Sequence, residues 1–299
     1  MKLIAGSANP QLSKNLAKKL KIPLVDREIS KFSNGELRVW IKDDLHGEDV
    51  CLVQSFSDPV DTELMETLLM ADALERMGVE ELVAVIPWMG YSLQDKIFRH
   101  GEPISAKLVA SLISHSFIKQ VVLMDLHNDS IQGFYSIPTD YLSAIPVFKK
   151  YIKDNYDLKN TVIGSPDFGG LKRARKFAAT MDLDLINIDK GRDLKTGEVT
   201  TFGIHGEVKG KNLIFYDDVI NSGGTVVKTA EIVKKHGAKK VAFLSTHGIF
   251  CKNAIERIGK SKVDEVVITN SIEHNNLNHK FKILDVSPVF AKALKRWVD

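Results

Sequence analysis

Short apolar runs and helical patterns alternate along this chain, and that alternation limits the folds open to it. LVAVIP (82–87), QVVLMDL (120–126), TVIGS (161–165), NLIFY (212–216), VAFLST (241–246) and VVITN (266–270) read as strands. Between them lie ETLLMADALERMG (66–78), AKLVASLISHS (106–116), LKRARKFAATM (171–181) and VVKTAEIVKKHG (226–237), whose apolar residues recur at helical spacing. Strands apolar throughout and separated by helices belong to a parallel sheet covered on both faces. The expected class is therefore α/β.

The pattern also repeats. ADALERMGVEELVAVIPWMG (71–90) reads like AEIVKKHGAKKVAFLSTHG (230–248), with Gly78 on Gly237. HGEDVCLVQS (46–55) matches VKGKNLIFYDD (208–218), with Gly47 on Gly210, and LIAGS (3–7) matches VIGSP (162–166). Any two strand–helix units look somewhat alike, but three matches in order favour a duplicated domain. The proline-containing stretch IPTDYLSAIP (137–146) marks the join. The expectation is two domains, 1–144 and 145–299, with the last helix free to pack on either.

Composition excludes more than it assigns. The 299 residues carry 41 basic and 38 acidic side chains, a net charge of +3. That balance argues against nucleic acid or a membrane surface as partner. The lysines of LSKNLAKKLKI (12–22) alternate with Leu and Ala at helical spacing and read as a solvated face. Cys51 and Cys251 form no CxxC pair and have no His at ligand spacing, which points to a reducing compartment and no structural zinc. No apolar run approaches the roughly 18 residues of a membrane span. The first ten residues do not read as a signal peptide, so a soluble cytoplasmic protein is expected.

Against this background LIFYDDVINSGGT (213–225) stands out. A buried strand runs into Asp217 and Asp218, and a Ser-Gly-Gly-Thr turn opens the next helix. Unpaired N–H groups and the helix dipole suit such a turn to a phosphate, and Ser222 and Thr225 add hydroxyls. It is not a Walker A loop, since no GK[ST] follows. The two carboxylates would repel that phosphate. They make sense facing hydroxyls of the same ligand, or a divalent cation. A phosphate beside a diol describes a sugar phosphate; the competing reading is a solvated acidic turn. The first copy has QSFSDPVDTE at this place, so the fold itself does not require the acids and glycines.

Other stretches leave two readings open. In VIGSPDFGG (162–170), Asp167 sits at a strand's carboxyl end, where α/β sheets bind ligands, or in a plain tight turn. VVLMDLH (121–127) places Asp125 and His127 on one face of a strand, as a metal or phosphate site or as structural groups. KGRDLKTGE (190–198) is either a solvated hairpin or a mobile loop that brings Lys190 and Arg192 over a phosphate-rich ligand. FSNGE (32–36) and the loop in IPWMGYSLQD (86–95) could line a nucleotide pocket or be loops only.

Taken in order, KFSNGELRVWI, HGEDVCLVQS, YSLQDKIFRHGEPISAKLVA, MDLHNDSIQGFYSIPTDYL, SPDFGGLKRA, YDDVINSGGT and LSTHGIF make the chain resemble the ribose-phosphate pyrophosphokinases, also called phosphoribosyl pyrophosphate synthetases. The resemblance runs nearly end to end. It implies two tandem phosphoribosyltransferase-type domains, each a mostly parallel sheet flanked by helices. The implied reaction moves the diphosphoryl group of ATP to the C1 hydroxyl of ribose 5-phosphate, with Mg²⁺, giving phosphoribosyl pyrophosphate and AMP.

Residue by residue, the resemblance implies that Asp217 and Asp218 hold the ribose hydroxyls and that Ser222, Gly223, Gly224 and Thr225 hold the 5-phosphate. It gives His127 and Asp167 to magnesium and makes Lys190 and Arg192 the catalytic cations. ATP falls to Phe32, Asn34 and Glu36, reaching across a subunit interface, and to Gln94 and Asp95. A homo-oligomer, at least a dimer, follows.

Two departures from the family pattern matter. Leu93 stands where an ATP-contacting Arg is usual, with Arg99 as a substitute. Ser222 stands for the usual Thr and keeps the hydroxyl. Two rivals remain at this level: a phosphoribosyltransferase, which would share the SGGT turn but not the FSNGE and DLH stretches, and a non-catalytic regulatory paralogue, which only Leu93 favours.

Overall fold

The structure is a computed structural model that describes residues 1–166, 169–192 and 199–298, with backbone only for 189–192 and 199–202. The chain divides into two compact units. One is Met1–Ala144 with Asn270–Glu273 and the tail from Asp285; the other is Ile145–Thr269 with His274–Leu284. Among the described residues no helix is long and apolar enough to cross a membrane.

The first unit runs β1 (Lys2–Ala5), α1 (Pro10–Leu20), β2 (Arg27–Lys31), β3 (Leu37–Ile41), β4 (Val50–Val53), α2 (Val60–Arg76), β5 (Leu82–Ile86), α3 (Ser105–Ser114), β6 (Gln120–Met124) and β7 (Thr139–Leu142). Its main sheet is parallel, in the order β1-β4-β5-β6-β7. Every residue of β4, β5 and β6 is buried, as expected of strands covered on both faces. β2 and β3 form a separate antiparallel hairpin. Helix α1 starts at Pro10, with the Asn9 side chain accepting the Leu12 N–H at 3.2 Å. Leu12, Leu16 and Leu20 turn inward while Lys14, Lys18 and Lys19 face solvent. The chain's last helix, Ser287–Leu294, packs on α1. Residues 270–273 are tied in by Asn9 Nδ2 donating to Asn270 O (2.7 Å) and Ser55 Oγ to Ser271 O (2.5 Å).

The second unit runs α4 (Ile145–Asn155), β8 (Thr161–Ser165), α5 (Leu171–Ala179), β9 (Leu185–Arg192), β10 (Val199–His205), β11 (Asn212–Ile220), α6 (Gly224–Lys235), β12 (Lys240–Gly248), α7 (Ala254–Gly259), β13 (Glu265–Thr269) and β14 (Phe281–Leu284). Its sheet has the order β10-β9-β8-β11-β12-β13-β14, with β10 antiparallel to β9 and the other pairs parallel. From β8 the chain steps one way to β9, and from β11 it steps the other way to β12. The carboxyl ends of β8 and β11 therefore flank the point where the order reverses, the place where open α/β sheets bind ligands.

The sequence repeat is visible in backbone detail. In the first unit Gly47 N–H donates to Gly78 O (2.8 Å) and Glu80 N–H to Glu48 O (3.0 Å). In the second, Gly210 N–H donates to Gly237 O (2.9 Å) and Lys239 N–H to Lys211 O (2.8 Å). The glycines matched by sequence thus make the same turn-to-turn bond in each unit.

The core under the reversal point is aromatic. Successive strand residues face opposite sides. Phe215 stacks on Phe243 (centroids 4.8 Å apart), while Tyr216 stacks on Phe177 of α5 (4.3 Å) and meets Phe148 of α4 edge-on (5.7 Å). All five rings are buried. This packing holds β11 in register up to its acids.

Candidate active site

The strand does not end at the acids. β11 continues through Asp217, Asp218 and Val219 to Ile220 and pairs with β12 as far as Gly248. The turn proper is Asn221–Gly223, and α6 begins at Gly224. Gly223 is the N-cap, with φ 72° in the left-handed region. Its N-cap position offers no side-chain acceptor, and the first turn of α6 contains no acid. Among the described residues no side chain caps this helix end, so its donors are open to a ligand.

A cavity of about 160 Å³ opens there, lined in part by Pro166, Asp217, Ser222, Gly224 and Thr225. It is small beside the roughly 300–1,000 Å³ of a whole ligand site and suits a single phosphate. The matching helix of the first unit differs. α2 has Asp61 and Glu63 in its first turn, and Glu63 accepts from the N–H and Oγ of Ser57. That helix end is already supplied with a carboxylate of the protein's own.

The two acids share one cation. Arg173, in the first turn of α5, donates through Nη1 to Asp217 Oδ1 and, at 2.7 Å, to Asp218 Oδ1. Asp218 N–H also donates to Asp217 Oδ1 at 3.0 Å. The side chain of Asp218 is 3 % exposed and that of Asp217 30 %. Burial, then the neighbouring Asp218 charge, pushes the Asp217 carboxyl up to about 7, and Arg173 works against both. For Arg173, burial opposes the charge, but the carboxylates of Asp218 and Asp217 prevail and hold the guanidinium above its usual range.

A second support comes from α7. Arg257 Nη1 donates to Ser222 O at 3.2 Å. A Cβ on Gly223 would meet Ile258 Cδ1 at 2.9 Å. Neither Arg173 nor Arg257 stood out in the sequence. Arg173 had one local signal: a first helical turn with basic residues and no acid runs against the helix dipole. Arg257 had none.

The remaining expected residues fall in several places. Asp167 lies outside the described residues. Lys190 and Arg192, read as part of a hairpin or a loop, stand on the backbone of β9 opposite Thr201 and Val199 of β10; their side chains lie outside the described residues. The backbone pairing of β9 with β10 runs to Arg192, and residues 193–198 lie outside the described residues.

In the first unit Asp125 is in the left-handed region (φ 36°), and its Oδ2 accepts the Ala144 N–H at 2.9 Å. His127 is half-buried just beyond β6. The next residue, Asn128, donates through Nδ2 to Asp95 Oδ2 at 2.7 Å, so the structure brings Asp95 to the β6 end near His127. Gln94 Oε1 accepts from Ser105 Oγ, and Gln94 O accepts the Ala106 N–H, both at the start of α3. Arg99 is exposed, its N–H bonded to Glu102 Oε2 at 3.0 Å. Phe32, Asn34 and Glu36 are exposed at the tip of the β2–β3 hairpin. That tip is closed by Phe32 N–H to Glu36 O (2.8 Å) and Glu36 N–H to Asn34 Oδ1 (3.2 Å). Among the described residues no group of three or more His, Cys, Asp or Glu side chains gathers as a metal cluster.

A mostly parallel sheet with an open helix end and an arginine-held carboxylate pair at its reversal point defines an α/β protein with a candidate ligand site there. Comparison with known proteins narrows this class. Residues 1–116 match the N-terminal domain of ribose phosphate pyrophosphokinase, and residues 192–299 match the phosphoribosyl synthetase-associated domain. The ribose-phosphate pyrophosphokinase of Helicobacter hepaticus is 43% identical over 295 residues, covering 99% of this chain and 95% of that one. That of Agrobacterium fabrum is 40% identical over 299 residues, covering 99% and 96%. The crystal structure of phosphoribosylpyrophosphate synthetase from Mycobacterium smegmatis superposes with a TM-score of 0.92 at 33% identity, covering 99% and 98%. The chain belongs to the ribose-phosphate pyrophosphokinase family.

Proposed function

We propose that this enzyme transfers the β,γ-diphosphoryl group of ATP to the C1 hydroxyl of ribose 5-phosphate, releasing phosphoribosyl pyrophosphate and AMP. The observation that carries the reading is the uncapped start of α6 opening on a cavity that Asp217 also lines. Family relatives align along 99% of the chain, both units included. That coverage supports the synthetase reading over a base-transferring phosphoribosyltransferase, and nothing in the site favours a regulatory paralogue.

The 5-phosphate docks on Ser222–Thr225, where backbone N–H groups, two hydroxyls and the helix dipole offset its charge. The Asp217–Asp218 pair accepts hydrogen bonds from the ribose hydroxyls and so orients C1. ATP falls to Phe32, Asn34, Glu36, Gln94, Asp95 and Arg99, with the Phe32 hairpin supplied by a second copy in a homo-oligomer. Lys190 and Arg192 neutralise charge on the transferring group. No side chain is assigned as general base.

Magnesium prefers few protein ligands, keeps waters and takes substrate phosphates, so it needs no protein cage. His127 and Asp167 are the protein donors we propose, and the ion when bound supplies charge neutralisation on the phosphates. The reading places the enzyme in the cytoplasm.

The test is AMP formation from ATP with and without ribose 5-phosphate, with Mg²⁺ or EDTA, beside Lys190→Ala. Sugar-dependent AMP that needs Mg²⁺ and falls by about two orders of magnitude or more in the variant is expected. Folded wild type that makes no sugar-dependent AMP would overturn the reading.

A further inference from the structure

We infer that Arg257 is a positioning residue for the 5-phosphate: by holding the carbonyl of Ser222 it keeps the Gly223 N–H aimed at the cavity where the phosphate docks. The inference deepens the proposed function and rests on its placement of the 5-phosphate at the start of α6.

A turn that binds an anion through its backbone must keep N–H groups on one side and carbonyls on the other. In a planar trans peptide the C=O and the N–H point in opposite directions. Whatever grips one carbonyl therefore sets the direction of the next residue's N–H. Here two consecutive carbonyls are gripped from the α7 side. Cys251 N–H donates to Asn221 O at 3.2 Å, which turns the Ser222 N–H away from that segment. Arg257 Nη1 donates to Ser222 O at 3.2 Å, which does the same for the Gly223 N–H. The N–H groups of Ser222, Gly223, Gly224 and Thr225 donate to no backbone carbonyl among the described residues, and all four residues line the cavity.

The grip on Ser222 matters more, because its peptide is the one free to turn over. That peptide ends at Gly223, whose φ is 72°. Glycine takes φ of either sign at little cost. A half-turn of the peptide would therefore meet little local resistance, and it would point Ser222 O at the phosphate. No side chain at 223 can prevent this, since a Cβ there would lie 2.9 Å from Ile258 Cδ1. The restraint has to come from another element. Arg257, next to Ile258 on α7, supplies it with a charged donor, which holds a carbonyl more firmly than a neutral one.

Arg257 is otherwise uncommitted. It is exposed, and among the described residues its side chain forms no ion pair and no other hydrogen bond. It is not one of the residues that line the cavity. It therefore acts on the ligand through the turn, by pre-setting a donor that would otherwise have to be ordered on binding.

The test uses full-length wild type, Arg257→Met, Arg257→Lys and Lys252→Met. The last removes an exposed cation just ahead of α7 and leaves Ser222 O held. The readouts are kcat, KM for ribose 5-phosphate and for ATP, Tm, calorimetric Kd for ribose 5-phosphate, and Kd for inorganic phosphate by displacement of that sugar. Arg257→Met is expected to raise both Kd values by the same factor, about fivefold or more, as loss of a charged hydrogen bond does. KM for the sugar should follow, while kcat at saturating sugar and KM for ATP stay within about twofold. Its Tm should stay within about 2 °C, because the side chain is exposed. Arg257→Lys should recover part of the loss, since it keeps a charged donor for the carbonyl without the forked geometry. Lys252→Met should change each Kd by less than about twofold. Unchanged affinity for both ligands in Arg257→Met overturns the inference, and so does weakened sugar binding with phosphate binding intact. An equal loss in Lys252→Met would mark a general effect of charge. A parallel loss of ATP affinity and Tm, or failure to fold, would mark a merely structural role. Either result also overturns the inference. Wild type that binds ribose 5-phosphate but makes no AMP sinks the proposed reaction while leaving the calorimetric comparison decisive for Arg257. Wild type that binds neither the sugar phosphate nor phosphate overturns both.

Discussion

Gly223 and Gly224 are indistinguishable in the motif SGGT, yet the structure gives them opposite tolerances. Gly223 has φ 72°, and a Cβ there would lie 2.9 Å from Ile258 Cδ1, 3.0 Å from Ile258 Cγ1 and 3.7 Å from Ala254 Cβ. Ile258 and Ala254 are fully buried, so they have little room to yield. A left-handed backbone costs an ordinary residue about 1–2 kcal/mol, and overpacking adds roughly 1–3 kcal/mol. Gly223→Ala should therefore forfeit about 2–5 kcal/mol in total. Gly224 has ordinary φ, and its Cβ would meet Ser222 Oγ at 3.8 Å, an open contact. Gly224→Ala should change fold stability by less than about 0.5 kcal/mol. The loss at Gly223 can be taken by the fold or by a shifted turn, so two assays are needed: denaturant unfolding, and calorimetric binding of ribose 5-phosphate. Their combined loss should reach about 2 kcal/mol for Gly223→Ala, a factor of roughly thirty if it falls wholly on binding. The reasoning is refuted if Gly223→Ala matches wild type in both assays, or if Gly224→Ala is the less stable variant.

Two further outcomes are expected. Burial pushes the Glu63 carboxyl up to about 7, against the Ser57 hydrogen bonds that lower it. The folded chain therefore holds a proton that the unfolded chain has lost, so the stability this group lends is present below about 4.5 and disappears as pH rises towards 7 and beyond. Glu63→Gln cannot ionise, and its unfolding free energy relative to wild type should climb by about 3 kcal/mol between pH 4.5 and 8; a pH-independent difference would count against the shift. If Arg99 stands in for the cation missing at Leu93, Arg99→Ala should raise KM for ATP about tenfold. Leu93→Arg should leave KM unchanged in wild type and restore it in Arg99→Ala; a lowered KM in the single Leu93→Arg variant would show the missing cation to be limiting.

Much of the architecture was legible because it rests on local periodicity. Apolar runs such as LVAVIP and TVIGS can hardly be other than buried strands, and the Gly47–Gly78 and Gly210–Gly237 bonds repeat because the same turns recur. What escaped the sequence depends on contacts between distant positions. Arg173 meets Asp217 across 44 residues, and nothing near either residue announces the partner. β11 outruns its apolar stretch because β12 continues beside it to Gly248, so pairing overrode the polarity of Asp217 and Asp218. The tail's return to α1, and the bonds of residues 270–273 to Asn9 and Ser55, are likewise set by tertiary packing. At the turn, composition showed that glycine was needed without showing which glycine bears the strain.

The most direct test of the central claim is the ³¹P spectrum of the products formed from ATP and ribose 5-phosphate with Mg²⁺. The account predicts AMP in equal amount with a sugar carrying one isolated phosphate and one coupled diphosphate pair. ADP with a sugar bisphosphate would show transfer of a single phosphoryl group and contradict the account, as would phosphate release without a new sugar product.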